Sequence, residues 1–339
     1  MFMRKTFLFI VLCIMVFGVL SCKQAGKYVR LEGSALGTTY AITYKTPAGS
    51  SSDLSLLTER SILKCFEKVN NSLSIYNNHS LISRINRNLT QETDSLFRTV
   101  FERSCQITAD TDGAFDISAA PFFDLWGFGL EKRDGIQPED LEEIRRYVGM
   151  DKFRLEGMML YKSDPRCRLS MNAIAKGYTC DLVATELTAL GITDLLVEIG
   201  GEIVCKGLNP KNKPWRIGID SPIDGNINPG EKTQTVIGLT DKALATSGNY
   251  RNYYIIDGEK FAHIIDPKTG CPVKHNLLSA TVIANDCMTA DAYATAFMVM
   301  GLEASIHFLE RHPGMEAFLI YDENGVFKTY ATDKIINNL

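Results

Sequence analysis

Short apolar segments of strand length, separated by turn signals, dominate the second half of the chain. They are rich in β-branched and aliphatic residues, and glycine, proline, asparagine or aspartate lies between most of them. The predicted strands cover residues 195–199, 202–206, 215–219, 235–239, 253–256, 262–265 and 280–283. Helices interrupt them irregularly, which argues against a doubly wound parallel sheet. The pattern predicts an α+β fold of mixed, mainly antiparallel strands, in a single large domain or two intimately packed lobes.

Helical periodicity and capping residues predict the other elements. Asp53 fits the N-cap of a helix to about residue 71, and Asn172 fits the N-cap of a helix that Gly191 ends. Residues 28–45 read as two strands, or as one strand bent at a glycine. The helix after Asn172 is expected over 174–190. The remaining helices are expected over 80–87, 93–110, 138–147, 289–300 and 303–312, with a final hairpin through 318 and 327.

The N-terminus has the features of a bacterial lipoprotein signal. Arg4 and Lys5 precede an apolar run over 6–20, which is shorter than a typical transmembrane helix. The run ends in the lipobox-like sequence VLSC, so Cys22 is the expected lipidated residue of a chain that is anchored to the bacterial inner membrane and faces the periplasm. We therefore predict a signal peptide over 1–21, a tether over 22–27 and one folded domain over 28–339. An ordinary secretory signal with an incidental cysteine is the alternative.

Composition narrows the class of protein. The chain has 45% hydrophobic and 22% charged residues, as globular enzymes do, and its net charge of −4 argues against nucleic acid as a partner. Seven of the nine cysteines lie beyond residue 22. They form no CxxC pair and have no histidines at zinc spacing, so the sequence predicts neither a disulfide framework nor a structural zinc.

Two neighbouring motifs suggest chemistry on a phosphate. HIIDPKTG presents His263 beside a tight turn, and ADAYAT places Asp291 and Thr295 at i and i+4 on one face of a helix, with Asp291 in the first turn. A carboxylate and a hydroxyl are ligands for Mg²⁺, which also takes phosphate oxygens from a substrate. Taken separately, each residue has a structural alternative: a core histidine, and an aspartate that favours a helix start.

A third motif suits a diphosphate. Lys176 lies in the first turn of the helix over 174–190, where free backbone amides and an ammonium group can converge on an anion. A solvated lysine is the alternative. The Gly200-Gly201 pair lacks the GxGxxG pattern, so we interpret it as a tight turn between strands.

The order of the motifs closely resembles that of the ApbE family of flavin transferases, over essentially the whole chain beyond the signal. The motifs are GTTY (37–40), SIYNNHSLISRIN (74–86), DGAFDIS (112–118), LWGFG (125–129), AIAKGY (173–178), EIGGEI (198–203), TSGNYRNYY (246–254), HIIDPKTG (263–270) and ADAYAT (290–295). The resemblance implies a Mg²⁺-dependent reaction that splits FAD at its diphosphate. FMN is then attached through a phosphoester to a threonine or serine of an acceptor protein, and AMP leaves.

The resemblance also implies roles for individual residues. His263 would be the catalytic base, and the carbonyls of Ala173 and Ala294 with the side chains of Asp291 and Thr295 would surround the metal. The residues that would contact FAD are Leu36, Tyr76, Ala114, Phe115, Asp116, Ser170, Lys176 and Ile265.

This chain departs from the family pattern at two of these positions. Leu36 stands where methionine is usual, and Ser170 stands where aspartate is usual. The implied acceptors are flavin-bearing subunits of extracytoplasmic redox complexes, such as ion-pumping NADH:quinone or ferredoxin oxidoreductases. Two alternatives stay open: an FAD diphosphatase that yields FMN and AMP, and a lipoprotein that binds FAD without turnover.

Overall fold

The computed structural model describes residues 26–51, 53–130, 137–223, 232–249, 253–256 and 259–336. The predicted signal peptide and Cys22 lie outside the described residues. The strands are β1 (Tyr28–Ala35), β2 (Thr38–Lys45), β3 (Phe153–Glu156), β4 (Met159–Lys162), β5 (Leu195–Ile199), β6 (Glu202–Lys206), β7 (Trp215–Asp220), β8 (Thr233–Leu239), β9 (Lys242–Gly248), β10 (Tyr253–Ile256), β11 (Glu259–Ala262), β12 (Leu277–Ala284), β13 (Glu316–Glu323) and β14 (Val326–Ala331).

Antiparallel pairing joins eight of these strands into one sheet, in the order β1-β2-β5-β6-β9-β12-β13-β14. The pairs β3-β4, β7-β8 and β10-β11 form separate two-stranded sheets. Short turns join three of the seven neighbouring pairs in the large sheet, β1-β2, β5-β6 and β13-β14, and longer segments that contain helices or other strands join the rest. The predicted α+β fold with mainly antiparallel strands is confirmed.

In the described residues, helices lie between and after the strands. They are α1 (Asp53–Leu73), α2 (Leu81–Asn86), α3 (Ser95–Asp110), α4 (Ala120–Leu125), α5 (Pro138–Arg145), α6 (Ala175–Ala189), α7 (Cys287–Met300), α8 (Leu302–Arg311) and α9 (Asp333–Ile336). In the described parts of the chain, no helix is long and apolar enough to cross a membrane.

The large sheet is covered on both faces. On one face, α1 and α6 pack against β2 and β5 through apolar side chains such as Phe66, Val183 and Val197. On the other face, the β7-β8 hairpin packs through Trp215 and Ile217 against Ile203, Cys205 and neighbours from β9, β12 and β13. Alternate residues of β6 therefore face opposite layers, which is the period of two that a strand imposes.

Four local predictions are wrong. Asn172 does not cap the helix, because α6 has Ile174 at its N-cap and the Asn172 amide instead donates to Tyr76 Oη at 3.1 Å. The predicted strand over 262–265 is displaced, since β11 ends at Ala262.

The strand β9 was not predicted, because its sequence KALATSG lacks a run of large β-branched residues. Helix α7 begins at Cys287 with Asp286 as its N-cap, so Asp291 lies beyond the first turn.

The seven described cysteines are all free thiols. Five of them are buried, namely Cys65, Cys167, Cys180, Cys205 and Cys287. Burial suits a thiol because it packs as a small apolar group.

Candidate active site

The predicted site residues gather at one end of the large sheet. The β1-β2 turn and the β5-β6 turn lie side by side there, joined by the hydrogen bond from Gly200 N to Thr39 O at 3.0 Å. Ser247, near the end of β9, reaches the same end and places its hydroxyl 3.2 Å from that of Thr295 on α7. Helices and turns from distant parts of the sequence therefore meet at this edge.

The β1-β2 turn holds Leu36 in a strained conformation. Leu36 has φ of 52° and Gly37 has φ of 76°, the left-handed pair that a tight two-residue hairpin requires. A branched residue in this region costs about 1–3 kcal/mol, and such strain clusters at functional sites. The position fits the implied contact of Leu36 with a ligand.

A close contact between α6 and α7 positions Asp291. The Gly177 N–H donates to Asp291 Oδ2 at 3.0 Å, and Asp291 is almost fully buried. The ordinary helical acceptor of this N–H would be the carbonyl of Ala173, in the turn before α6. Because the N–H of Gly177 is directed to Asp291, it holds the carboxylate at the start of α6.

Gly177 is required for this approach of the two helices. A Cβ atom at residue 177 would lie 2.3 Å from the Cys287 carbonyl oxygen and 2.8 Å from Asp291 Cβ. Both contacts are with parts of α7 that cannot rotate away.

We expect Gly177→Ala to lower the free energy of unfolding by about 1–3 kcal/mol, the usual cost of overpacking a core. Activity should fall as well, because the same shift moves Asp291. Urea unfolding followed by circular dichroism measures the effect. Gly238→Ala is the matched control: its Cβ would meet Pro214 at an ordinary 3.5 Å, so a change within about 0.5 kcal/mol is expected. Equal losses in the two variants would contradict the steric account.

Lys176, Glu202 and Asp291 form a charged cluster, and the two carboxylates are buried. Lys176 Nζ pairs with Glu202 Oε1 in a salt bridge. Burial lowers the pKa of Lys176, but the Glu202 and Asp291 carboxylates more than offset this, so its pKa lies above the ordinary value. Burial raises the pKa of both carboxyl groups, while Lys176 opposes that rise. When both carboxyl groups are ionised, the single ammonium group of Lys176 leaves the cluster with an excess negative charge.

Glu202 is a site residue that the sequence interpretation did not single out. Its side chain is 3% exposed, and in the described structure its Oε2 atom has no hydrogen-bond partner. A buried carboxylate oxygen without a partner is costly and points to a missing cation or proton. The available signal was the acidic residue directly before the apolar residues 203–205 of the strand EIVCK.

Asp291 and its surroundings fit a hard divalent cation. The implied ligands, all oxygen atoms, are the Asp291 carboxylate, the Thr295 hydroxyl and the carbonyls of Ala173 and Ala294. Within the described ranges, no group of three or more histidine, cysteine, aspartate or glutamate side chains is gathered for a metal. A cation here would therefore need neutral oxygens and substrate phosphates beside one carboxylate, as Mg²⁺ commonly uses.

A second buried carboxylate, Asp181 on α6, serves the fold. Its oxygens accept from the N–H groups of Cys287 and Met288, each at 2.8 Å, and so cap the start of α7. Burial raises the pKa of Asp181 to about 7, although these two N–H groups oppose the rise. The folded state thus binds this proton more tightly than the unfolded chain does.

The raised pKa predicts a pH dependence of stability. The contribution of Asp181 is fully present below its unfolded pKa of 3.8 and is lost as the pH rises towards about 7. The Asp181→Asn variant has no carboxyl group at this position, so its free energy of unfolding should not fall with pH for this reason. The difference in free energy of unfolding between the variant and the unsubstituted chain should therefore change between pH 3.8 and about 7. Asp112→Asn is the control, because salt bridging to Lys268 lowers the pKa of Asp112 and gives the opposite sign. A constant difference for Asp181→Asn would refute the assignment.

His263 lies at the start of a loop that a well-defined turn shapes. It follows β11 directly, not within a strand as predicted. Asp266 Oδ1 accepts from Lys268 N at 2.9 Å, and Asp266 O accepts from Gly270 N at 2.8 Å. These bonds close the DPKTG turn behind the histidine.

The histidine loop is packed against the LWGFG segment. Trp126 Nε1 donates to the Gly270 carbonyl at 2.7 Å, and the Phe128 ring meets the His263 ring edge to face at 6.4 Å between centroids. Ile265 packs with Phe122 in the same apolar cluster. The imidazole is half-buried beside the Phe128 ring.

The remaining predicted FAD contacts lie along segments that meet near this loop. Asp116 Oδ1 accepts from Ser118 N at 2.7 Å, and burial raises the pKa of Asp116. Ser170 N donates to Ile117 O at 2.8 Å, which ties the residues just before AIAKGY to DGAFDIS. Phe115 and Ile265 are buried, so a ligand would meet mainly their backbone, whereas Tyr76 is 67% exposed.

Comparison with known proteins identifies the family. A sequence model of the ApbE family matches residues 36–319. The chain belongs to the ApbE family. Among curated relatives of this ApbE protein, FAD:protein FMN transferase of Vibrio cholerae is 38% identical over 319 residues, 92% of each chain, and that of Haemophilus influenzae is 36% identical over 334 residues, 95% of each.

Solved structures of the ApbE family have the same fold. The flavin transferase ApbE from Vibrio cholerae aligns with a TM-score of 0.82 at 36% identity, covering 93% of this chain and 100% of that one. The apo form of the Pseudomonas stutzeri flavinyl transferase ApbE aligns with a TM-score of 0.82 at 31% identity, over 93% and 97% of the two chains. The resemblance inferred from the ordered motifs is confirmed.

Proposed function

We propose that this protein is an FAD:protein FMN transferase that uses Mg²⁺ to attach FMN to a threonine or serine hydroxyl of an acceptor protein. Its similarity to the curated transferases over nine-tenths of the chain supports the transfer of FMN. The Lys176–Glu202–Asp291 cluster, with its two buried carboxylates, is the observation in this structure that carries the proposal. It combines an ammonium for a diphosphate with an unbalanced oxygen-rich pocket for a cation.

The reaction needs positioning and charge neutralisation more than covalent chemistry from the protein. The acceptor hydroxyl oxygen forms a bond to the phosphorus of the FMN half of FAD, and the bond from that phosphorus to the bridging oxygen breaks. AMP leaves with the bridging oxygen. The Asp291 carboxylate, the Thr295 hydroxyl and the carbonyls of Ala173 and Ala294 would hold Mg²⁺, which would supply charge neutralisation for the diphosphate.

The residues of the chain then have distinct tasks. His263 accepts the proton of the acceptor hydroxyl, and Lys176 stabilises charge on the phosphates while Glu202 holds its ammonium in place. The proposed flavin and adenine contacts come from Leu36, Tyr76, Asp116 and Ser170. Backbone groups of Ala114, Phe115 and Ile265 complete the binding surface.

The cellular setting is a proposal of the same kind. Cys22 would carry the lipid, residues 22–27 would form the tether, and the domain would face the periplasm from the inner membrane. The acceptors would be flavin-bearing subunits of extracytoplasmic redox complexes. The apolar run and the VLSC sequence support this placement.

Hydrolysis of FAD is the alternative activity, since water could replace the acceptor hydroxyl in the same site. Incubation with FAD and Mg²⁺, with and without a threonine-bearing acceptor domain, separates the possibilities. Flavin fluorescence that stays with the acceptor after denaturation indicates transfer, and AMP with free FMN in the absence of acceptor indicates hydrolysis. Unchanged FAD in both reactions indicates binding alone and would contradict the proposed activity.

A further inference from the structure

One face of α1 carries three leucines that are exposed to solvent and do not pack in the core. Leu56 is 57% exposed, Leu57 is 49% exposed and Leu63 is 50% exposed, although all three lie on one helix. The opposite face of α1 buries Ile62, Phe66 and Val69 in the core. The helix therefore exposes three large apolar side chains on the side away from the core, among charged residues.

Basic side chains are interleaved with these leucines. Arg60 follows Leu56 by four residues and precedes Lys64 by four, so all three share one side of the helix, and both cations are exposed. Glu67, four residues after Leu63, is exposed on the same side, so the face carries two cations and one carboxylate. Leucines beside arginine and lysine are the chemistry of a helix that lies in a membrane interface. There, the apolar groups enter the acyl boundary and the cations meet anionic headgroups.

The surface lies where the N-terminal tether joins the domain. Lys27 N donates to Thr46 Oγ1 at 3.0 Å, and Thr46 N donates to Lys27 O at 2.8 Å. The next residue, Pro47, lines a groove together with Leu54, Leu56, Leu57, Arg60 and Leu190. The exposed leucines are thus continuous with the point at which the chain leaves the fold.

The length of the tether limits how far the domain can stand from its anchor. Five peptide units join Cys22 to Lys27, and a fully extended chain spans at most about 3.6 Å per residue, or about 18 Å here. An anchor this short keeps the groove and the first turns of α1 within reach of the lipid surface. It also brings the basic side chains close to the headgroups.

We propose that the face formed by Leu56, Leu57, Arg60, Leu63 and Lys64 docks on the bilayer and fixes the orientation of the domain at the membrane. This inference rests on the proposed lipid anchor at Cys22. It does not depend on the chemistry of the active site. If the test shows that a second copy of the chain or an acceptor protein covers this face, the proposal that it docks on the bilayer is wrong.

Quenching of an introduced tryptophan tests the docking. The full lipidated Leu57→Trp chain is placed in vesicles of phosphatidylethanolamine and phosphatidylglycerol that contain brominated phosphatidylcholine. Val326→Trp is the matched control. Val326 is 59% exposed on β14, at the far edge of the sheet from β1, about 34 Å away at the usual strand spacing. The unsubstituted chain corrects for Trp126 and Trp215.

Docking predicts that brominated lipid causes a loss of emission from the Leu57→Trp indole and leaves the Val326→Trp indole unchanged. Adding Arg60→Ser and Lys64→Ser to the Leu57→Trp chain should reduce the loss in vesicles with phosphatidylglycerol. Equal quenching at the two positions would overturn the proposal. A blue shift of the Leu57→Trp emission without vesicles would also overturn it, because a protein surface would then cover this face.

Two further measurements on the same samples distinguish a failure of membrane docking from a failure of the proposed activity or of lipidation at Cys22. Flavin transfer by the same vesicles should be unchanged in Leu57→Trp and in the control, so a failure of the proposed activity is recorded independently. The intact mass of each chain reports whether Cys22 carries lipid. Absence of quenching overturns the docking surface in either case.

Discussion

Replacing Asp291 with alanine is expected to abolish flavin transfer together with its dependence on Mg²⁺. Asp291 is the buried carboxylate of the proposed metal site and is held in place by the Gly177 N–H. Its removal withdraws the charged ligand of the cation, and loss of a Lewis acid costs several kcal/mol, about 10³-fold or more in rate. Initial rates over a Mg²⁺ titration measure both the maximal rate and the half-saturating concentration.

Asp181→Asn provides the matched control for this prediction. Asp181 is also a buried carboxylate at the interface of α6 and α7, but it caps the start of α7. Its replacement should leave the Mg²⁺ titration unchanged at a temperature where the variant is folded. An Asp291→Ala protein whose Mg²⁺ activation curve matches that of the unsubstituted chain would contradict the metal site.

Replacing His263 with alanine is expected to separate binding from transfer. The imidazole follows β11 at the edge of the site, and its removal deletes the base without removing Lys176 or the metal ligands. FAD binding should persist, while single-turnover transfer should fall by about 10²- to 10⁴-fold, the usual contribution of general base catalysis. Quenching of flavin fluorescence measures binding, and flavin retained on the denatured acceptor measures transfer.

Chemical rescue makes the His263 prediction specific. Added imidazole should restore part of the transfer activity of His263→Ala, because it can occupy the vacated position and accept the proton. His79→Ala is the control, since His79 is exposed in the turn before α2 and should behave like the unsubstituted chain. Normal transfer by His263→Ala would exclude the histidine as the base.

Periodicity in the sequence predicts the fold class and most strands, because both are properties of short segments. Antiparallel neighbours such as β5 and β6 have an apolar pattern and a two-glycine turn, which are visible locally. Strand β9 is the exception. It lies between β6 and β12 in the centre of the sheet, and its small residues Ala243, Ala245 and Gly248 are dictated by what packs on them.

The sequence motifs likewise predict residues of the candidate site, but they do not predict which distant residues contact them. The proposed metal ligands came from motifs, but the partners of those residues come from other segments. Gly177 reaches Asp291 across 114 positions, and Ser247 reaches Thr295 across 48. Glu202 gains its significance only when the fold places its carboxylate beside Lys176. Helix periodicity also misplaced Asp291, because the N-cap at Asp286 starts α7 earlier than the apolar pattern indicates.

In the proposed transfer reaction an acceptor hydroxyl, and not water, attacks the diphosphate of FAD. The most direct test is the reaction with FAD, Mg²⁺ and acceptor in water enriched in ¹⁸O, followed by mass spectrometry of AMP and of the flavinylated acceptor peptide. Attack by the acceptor hydroxyl predicts one AMP for each flavin bound and no ¹⁸O in either phosphate. Incorporation of ¹⁸O into FMN or AMP, with AMP formed equally fast without acceptor, would contradict it.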